Sequence, residues 1–385
     1  MDVRRQYLLD PTVTYLNHGS FGACPRPVLE AQSRLRERIE HHPVLFLARE
    51  LMSHLDAARA ALAAFVGADP ADLAFMPNAT GAVNAVVRSL RLEPGDELLT
   101  TDHGYNACRN ALEWVAERAG ARVVTAAVPF PLESDEQVIE AVLGAVTSRT
   151  RLALIDHVTS PTGLVFPVRR LVAALEGAGV DCLVDGAHAP GMLPLDVAGL
   201  DAAYYVGNCH KWMCAPRGAG FLVARKDRQE GLAPLAISHG WNAPPERSRY
   251  RLLFDWTGTV DPTPWLCVPD AISLVGGFVD GGWPALMARN HTLALGARDL
   301  LSGGLALAPA APASSIGAMV AVPLGEGNPE ALQARLFQHH HIEVPVFGWP
   351  RPTARVLRLS LAIYNDLTEV ARLAEVLPSE LAAAG

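Results

Sequence analysis

The chain has 385 residues, half of them apolar and 19% charged, with a net charge of −8. At about 150 residues per domain this length points to two or three domains around a large core. The composition excludes intrinsic disorder, and the acidic balance argues against a protein built to hold nucleic-acid phosphates.

Near the N-terminus there is no apolar core of about 7–15 residues with a small-residue cleavage site. No run of about 18 apolar residues lacks a charge or proline, so a cytoplasmic protein without a membrane span is expected. In chain order, the first predicted element is a long helix over roughly Pro27–Leu62. Apolar runs at Val123–Val128, Leu152–Asp156, Cys182–Asp185 and Ala203–Val206 read as buried strands. Helix-like segments separate or precede them at Asn106–Ala119, Asp135–Val146 and Arg169–Ala178, each ending near a Gly or a charged turn. This alternation predicts an α/β fold: a mostly parallel sheet with helices on both faces. Ligands of such sheets bind beyond the carboxyl ends of the strands, where this chain carries its polar clusters.

Beyond residue 245 the pattern changes. Proline-rich turns precede a helical stretch over Val268–Leu301, short strands at Ala318–Pro323 and Val356–Leu361, and two more helices. These predict a smaller α+β domain. The expected division is an N-terminal segment (1–45) packed with the small domain, a large domain (46–250) and a small C-terminal domain (251–385). Six scattered cysteines form no C-x-x-C pair, so neither a disulfide scaffold nor a structural metal is expected. The run His339-His340-His341 reads as a surface helix end, because adjacent helical residues point in different directions.

Three clusters carry chemistry. In Tyr204–Gly220, YYVGNCHKWMCAPRGAG, Lys211 lies between a buried-looking strand and a Gly/Pro-rich turn. Desolvation there would lower its pKa and make its amine nucleophilic. Upstream, the apolar strand Cys182–Val184 ends in Asp185, an acid able to pair with a protonated heterocyclic nitrogen. Met76–Ala82 joins an apolar segment to a helix start, where backbone N–H groups and the Thr80 hydroxyl could cradle a phosphate. A lysine for an aldehyde and an acid for a pyridine nitrogen are what pyridoxal phosphate requires.

Asn78-Ala79-Thr80, Asp102-His103, Asp156–Gly163, Asp185–His188, His210-Lys211 and Arg358 within RLSLAIYN together resemble the class V aminotransferase group. That group belongs to the fold type I pyridoxal-phosphate enzymes. The stretches LNHGSFGACPRPV, NCHKW and FDWTGTVDPTPWL are most similar to its isopenicillin N epimerase-like branch. The resemblance implies a Schiff-base and acid–base role for Lys211, with Asp185 on the pyridine nitrogen. It puts His188 near the ring hydroxyl, along with Ser160 where relatives often carry asparagine. His103 would stack on the ring, with Tyr105 close enough to share or take that role. Asn78, Ala79, Thr80 and His210 would hold the phosphate. Arg358 would grip the substrate carboxylate, and Asn17, His18 and Gly19 would lie near the substrate. Thr259 would reach the phosphate of a neighbouring subunit, implying a homodimer with shared sites.

Within this group the reaction is read from what is present. The stretch His341–Arg358, where desulfurases of the group place their nucleophilic thiol, holds no cysteine. An amino-acid epimerase leads, while a C–S β-lyase and an aminotransferase stay open. A non-catalytic α/β binding protein would be expected to have lost Lys211 or Asp185, and both are present. A nucleotide-binding protein should show G-x-G-x-x-G or a P-loop, and neither occurs.

Overall fold

A computed structural model describes residues 3–383. Its centre is a seven-stranded sheet built from β2 (Leu73–Met76), β3 (Glu97–Thr101), β4 (Arg122–Ala126), β5 (Thr150–Asp156), β6 (Asp181–Gly186), β7 (Tyr204–Asn208) and β8 (Gly220–Ala224), following the two-residue β1 (Thr14–Tyr15). The spatial order is β2-β8-β7-β6-β5-β3-β4. The pairs from β7 through to β4 are parallel, whereas β8 runs antiparallel to both β2 and β7. The α/β architecture is therefore the one the strand–helix alternation predicts.

Strand alternation sends side chains to two layers. Leu99, Ala153, Ile155, Val184 and Tyr205 join one core, shared with helices Leu51–Val66 and Val168–Gly177. Leu98, Leu152, Leu154, Leu183 and Val206 join the other, against helices Ala79–Ser89 and Asn106–Ala119. Strands covered on both faces need no polar alternation, which is why their sequences read as continuous apolar runs.

The small domain carries an antiparallel sheet of β9 (Met319–Glu326), β11 (Val346–Gly348) and β12 (Ala354–Ser360), ordered β11-β12-β9. Helices Gly282–Gly304, Pro329–His340 and Leu367–Ala383 accompany it. The N-terminus joins this domain: β1 pairs in parallel with β10 (Ile342–Glu343), and Arg4 bonds Glu369 at 2.5 Å.

Several expected boundaries move. The helix expected over Pro27–Leu62 breaks at His42: Arg26–His41 is one helix, and a second helical run starts at Pro43 and passes through a π-helical segment, Phe46–Glu50, into Leu51–Val66. Pro43 lies at the break, since it has no N–H and its ring crowds the preceding turn. Helix Arg26–His41 packs on Thr263–Leu266 and Val268–Gly276. The division expected at 250/251 cuts through helix Arg249–Phe254, whose Tyr250, Leu253 and Phe254 pack in a core of the large domain. The stretch Val268–Leu301 breaks after Gly276, where Gly281 and Gly282 take φ of +89° and +67°. His339 and His340 do end a helix, but both rings reach one oxygen of Glu380, at 3.4 and 2.9 Å. The Arg335 guanidinium holds the other oxygen at 2.6 Å.

Candidate active site

The carboxyl ends of β6 and β7 bring Asp185 and Lys211 together. Asp185 is buried at the end of its strand; its Oδ1 accepts from the Ala187 N–H at 3.0 Å and its Oδ2 from the Cys108 thiol at 3.3 Å. Burial pushes its carboxyl up, while Lys211 opposes that shift. Asp156 on β5 is its register partner. Burial and the Asp185 charge hold Asp156 well above the usual carboxylate range, which favours its protonated form. Desolvation, helped by the Arg358 charge, brings Lys211 down to about 8. Its Nζ lies 3.1 Å from Nε2 of His188, whose Nδ1 accepts from the Trp212 indole N–H at 3.4 Å. The resemblance implies a ring-oxygen contact for His188; within the chain its neighbours are the lysine amine and the indole.

The phosphate cradle forms where β2 runs into helix Ala79–Ser89. Asn78 caps that helix, its Oδ1 accepting from Gly81 N–H at 2.8 Å. Ala79 was expected to offer its N–H to a phosphate, but this N–H donates to Asn208 Oδ1 at 2.8 Å. The first turn of that helix carries the Thr80 hydroxyl and N–H. His210 bonds the Ala219 carbonyl through Nδ1 at 2.8 Å, leaving Nε2 for a ligand. Gly220 lets β8 approach this turn: a Cβ there would meet Asn78 Cα at 2.8 Å.

Arg358 lies in β12 with 1% of its surface exposed. Its Nη1 donates to the Ser160 carbonyl at 2.5 Å and lies 3.4 Å from the Ser160 hydroxyl, while Nη2 donates to Ser20 Oγ at 3.1 Å. Ser160 thus holds the arginine through its carbonyl. The Arg358 Nε is buried with no partner among the described residues. Asn17 acts behind Ser20: its Oδ1 accepts from the Ser20 hydroxyl at 2.6 Å, and its Nδ2 donates to Glu343 at 3.2 Å. Gly19 lets the same loop reach β12, since a Cβ would meet Ser360 Oγ at 2.8 Å.

His18 was expected near the substrate. It is fully buried, with Nδ1 at 2.7 Å from the Tyr364 hydroxyl and Nε2 at 3.1 Å from the Lys211 carbonyl. With both nitrogens engaged, it clamps the N-terminal loop onto the lysine segment. Gly22 makes that approach possible: at φ +70° a Cβ would meet the His210 carbonyl at 2.1 Å. His103, expected to stack on the ring, is likewise closed off. Its ring nitrogens contact Thr162 Oγ1 at 2.7 Å and the Val128 carbonyl at 3.0 Å, and its ring packs 4.3 Å from Trp349. Tyr105, two residues on, is 45% exposed and lies in the neighbourhood of Arg358. Thr259 is exposed beside helix Arg26–His41, away from Lys211 within one chain.

The sequence did not mark Cys108, Asn208, Ser20 or Tyr364 as site residues. Ser20, Asn208 and Tyr364 stand inside the stretches that carry the resemblance and Cys108 in none, but each acts by holding another group. Asp156 carried the one usable signal, an acid ending a strand beside the Asp185 strand.

These residues fit pyridoxal phosphate: a desolvated lysine amine, a buried carboxylate one strand away, an open helix start, and a buried guanidinium with an unsatisfied N–H. Fold and site define a pyridoxal-phosphate enzyme of fold type I. The family model for aminotransferase class-V matches residues 22–373, and the chain belongs to that family. It is 42% identical to the isopenicillin N epimerase of Amycolatopsis lactamdurans, over 98% of this chain and 97% of that protein. It is 31% identical to an L-cysteine desulfhydrase of Arabidopsis thaliana, over 87% of this chain and 78% of that one. Among solved structures, a cysteine desulfurase of Escherichia coli superposes with a TM-score of 0.80 at 21% identity, covering 100% of this chain and 98% of the other. The C-DES variant with glycine covalently linked to its PLP cofactor reaches 0.81 at 22% identity, over 99% of both chains.

Proposed function

We propose that the chain is an amino-acid epimerase that removes and returns the proton at Cα. The observation that carries this reading is the nearly end-to-end similarity to the isopenicillin N epimerases, at 42% and 37% identity. The site supports it. Pyridoxal phosphate, when bound, withdraws electrons from Cα and makes its proton acidic. Lys211 holds the cofactor aldehyde through its amine and moves the Cα proton on its own side. Asp185 keeps the pyridine nitrogen protonated, with its orientation held by Ala187 and Cys108. Thr80 and His210 take the phosphate, and Arg358 takes the substrate carboxylate. Tyr105 replaces His103 as the residue over the ring, because the His103 side chain is fully buried against Trp349 whereas Tyr105 is 45% exposed. Its hydroxyl supplies the proton on the second side.

The working unit is a cytoplasmic homodimer in which Thr259 serves the neighbouring phosphate. Thr259 is exposed in the single chain, and no described helix is long and apolar enough to cross a membrane. A second reading, a C–S β-lyase, is favoured by the similarity to L-cysteine desulfhydrases. Incubation of an amino-acid panel in D₂O separates the two. An epimerase incorporates deuterium at Cα and changes stereochemistry without releasing ammonia. Stoichiometric pyruvate from cysteine, with no racemised amino acid recovered, overturns the epimerase in favour of the lyase.

A further inference from the structure

We propose that Trp212 is a positioning residue that fixes the tautomer of His188, so that His188 presents its Nε2–H to the amine of Lys211. The inference rests on the reading of Lys211 as the cofactor-bearing lysine and extends it to two residues around it.

The argument starts from the indole. Its N–H can only donate. It points at His188 Nδ1 from 3.4 Å, so Nδ1 must be the acceptor. A neutral imidazole that accepts at Nδ1 carries its single proton on Nε2. His188 is neutral: it is buried, 3% exposed, and burial together with the Arg358 charge lowers its pKa well below the usual value. The Nε2–H therefore faces Lys211 Nζ at 3.1 Å, and the nitrogen it faces must accept. Only an uncharged amine has a lone pair to do so. The opposite arrangement, an ammonium donating to Nε2, would put the ring proton on Nδ1. There it would confront the indole N–H, two donors facing each other in a buried site with one hydrogen bond lost.

The other groups around Lys211 do not decide its state alone. Arg358 drives the proton off, while Asp185 draws it on. The backbone carbonyl of Lys211 is held by His18, which fixes the stem but not the charge of the amine. Trp212 and His188 thus favour the form of the lysine that attacks an aldehyde, and hold its nitrogen in one direction. Neither role is visible from sequence spacing, because the indole acts through a residue 24 positions away.

A double-mutant cycle tests this with Trp212→Phe, His188→Gln and the combined variant. Phenylalanine keeps most of the apolar volume and removes only the donor. Glutamine carries N–H donors whatever Trp212 does. The readout is the rate at which the full-length, cofactor-stripped protein takes up pyridoxal phosphate as a covalent lysine adduct, followed by visible absorbance across pH. Trp212→Phe alone is expected to slow uptake about two- to tenfold near neutrality, the loss of one neutral hydrogen bond, and to move the midpoint to higher pH. In the His188→Gln background the same substitution is expected to change nothing. An equal effect in both backgrounds, or none in the native one, overturns the inference. A second measurement needs no variant: ¹⁵N spectra of histidine-labelled protein should show His188 protonated at Nε2, and protonation at Nδ1 overturns it. Lys211→Ala separates this inference from the reading beneath it. An adduct that persists in that variant refutes the lysine assignment. Loss of the adduct, combined with an equal effect of Trp212→Phe in both backgrounds, refutes only the tautomer.

Discussion

Replacing Arg358 by lysine keeps a positive charge and removes the planar fork. In the structure, Nη1 serves the Ser160 carbonyl at 2.5 Å and Nη2 serves Ser20 at 3.1 Å, which leaves the second N–H of each nitrogen and the buried Nε–H. The guanidinium also lies over Phe347, 5.0 Å from the ring centroid. An ammonium has three donors around one point. It cannot reach Ser160 and Ser20 from opposite sides and still grip a carboxylate with two parallel hydrogen bonds. The expected loss is one charge-assisted hydrogen bond, about 1.5–3 kcal/mol, or roughly 10- to 150-fold in kcat/KM. The retained charge still disfavours a proton on Lys211, so the lysine should stay near its lowered pKa. Arg358→Gln should differ there. Without the neighbouring cation the Lys211 pKa rises, the neutral amine becomes scarcer near pH 7, and cofactor uptake shifts to higher pH. Steady-state kinetics with a racemising substrate and a pH series of cofactor uptake read the two effects separately. Equal loss of cofactor affinity in Arg358→Lys, with substrate KM unchanged, would refute the carboxylate role.

Three other outcomes follow from the same geometry. Tyr105→Phe should retain cofactor and ring cover but lose about 10²–10⁴-fold in epimerisation, with proton exchange surviving in one stereochemical direction; equal retention of both directions, measured by deuterium wash-in from each enantiomer, removes the hydroxyl from the mechanism. Asp255→Ala should destabilise the fold by about 3–5 kcal/mol in denaturant unfolding, because it strands Arg59, which is 1% exposed and bonds Asp255 Oδ1 at 3.1 and 2.7 Å. A change below about 1 kcal/mol would mean that water reaches the guanidinium. The protein should sediment as a homodimer, and Thr259→Val should weaken pyridoxal phosphate binding; a monomer with unchanged cofactor affinity refutes the shared site.

The chemistry-bearing residues of the sheet were legible in the sequence for a simple reason. A strand buried on both faces is a short apolar run, and a polar residue that ends it stands at the ligand-binding edge. Asp185 after Cys182–Val184 and Lys211 after Tyr204–Asn208 are both read this way. The antiparallel β8 was not legible, because direction is set by which strand it pairs with and not by its apolar composition. Helix breaks at Pro43 and at Gly281-Gly282 leave local marks, yet neighbouring helical patterns ran straight across them. Above all, the sequence could not show which polar groups were already in use. His18, His103 and the Ala79 N–H are ligand-type groups by residue and position, but Tyr364, Thr162 and Asn208, from distant parts of the chain, satisfy them first. A buried polar group is bound by whichever partner tertiary packing brings within about 3 Å, and that partner is decided by the fold of the whole chain.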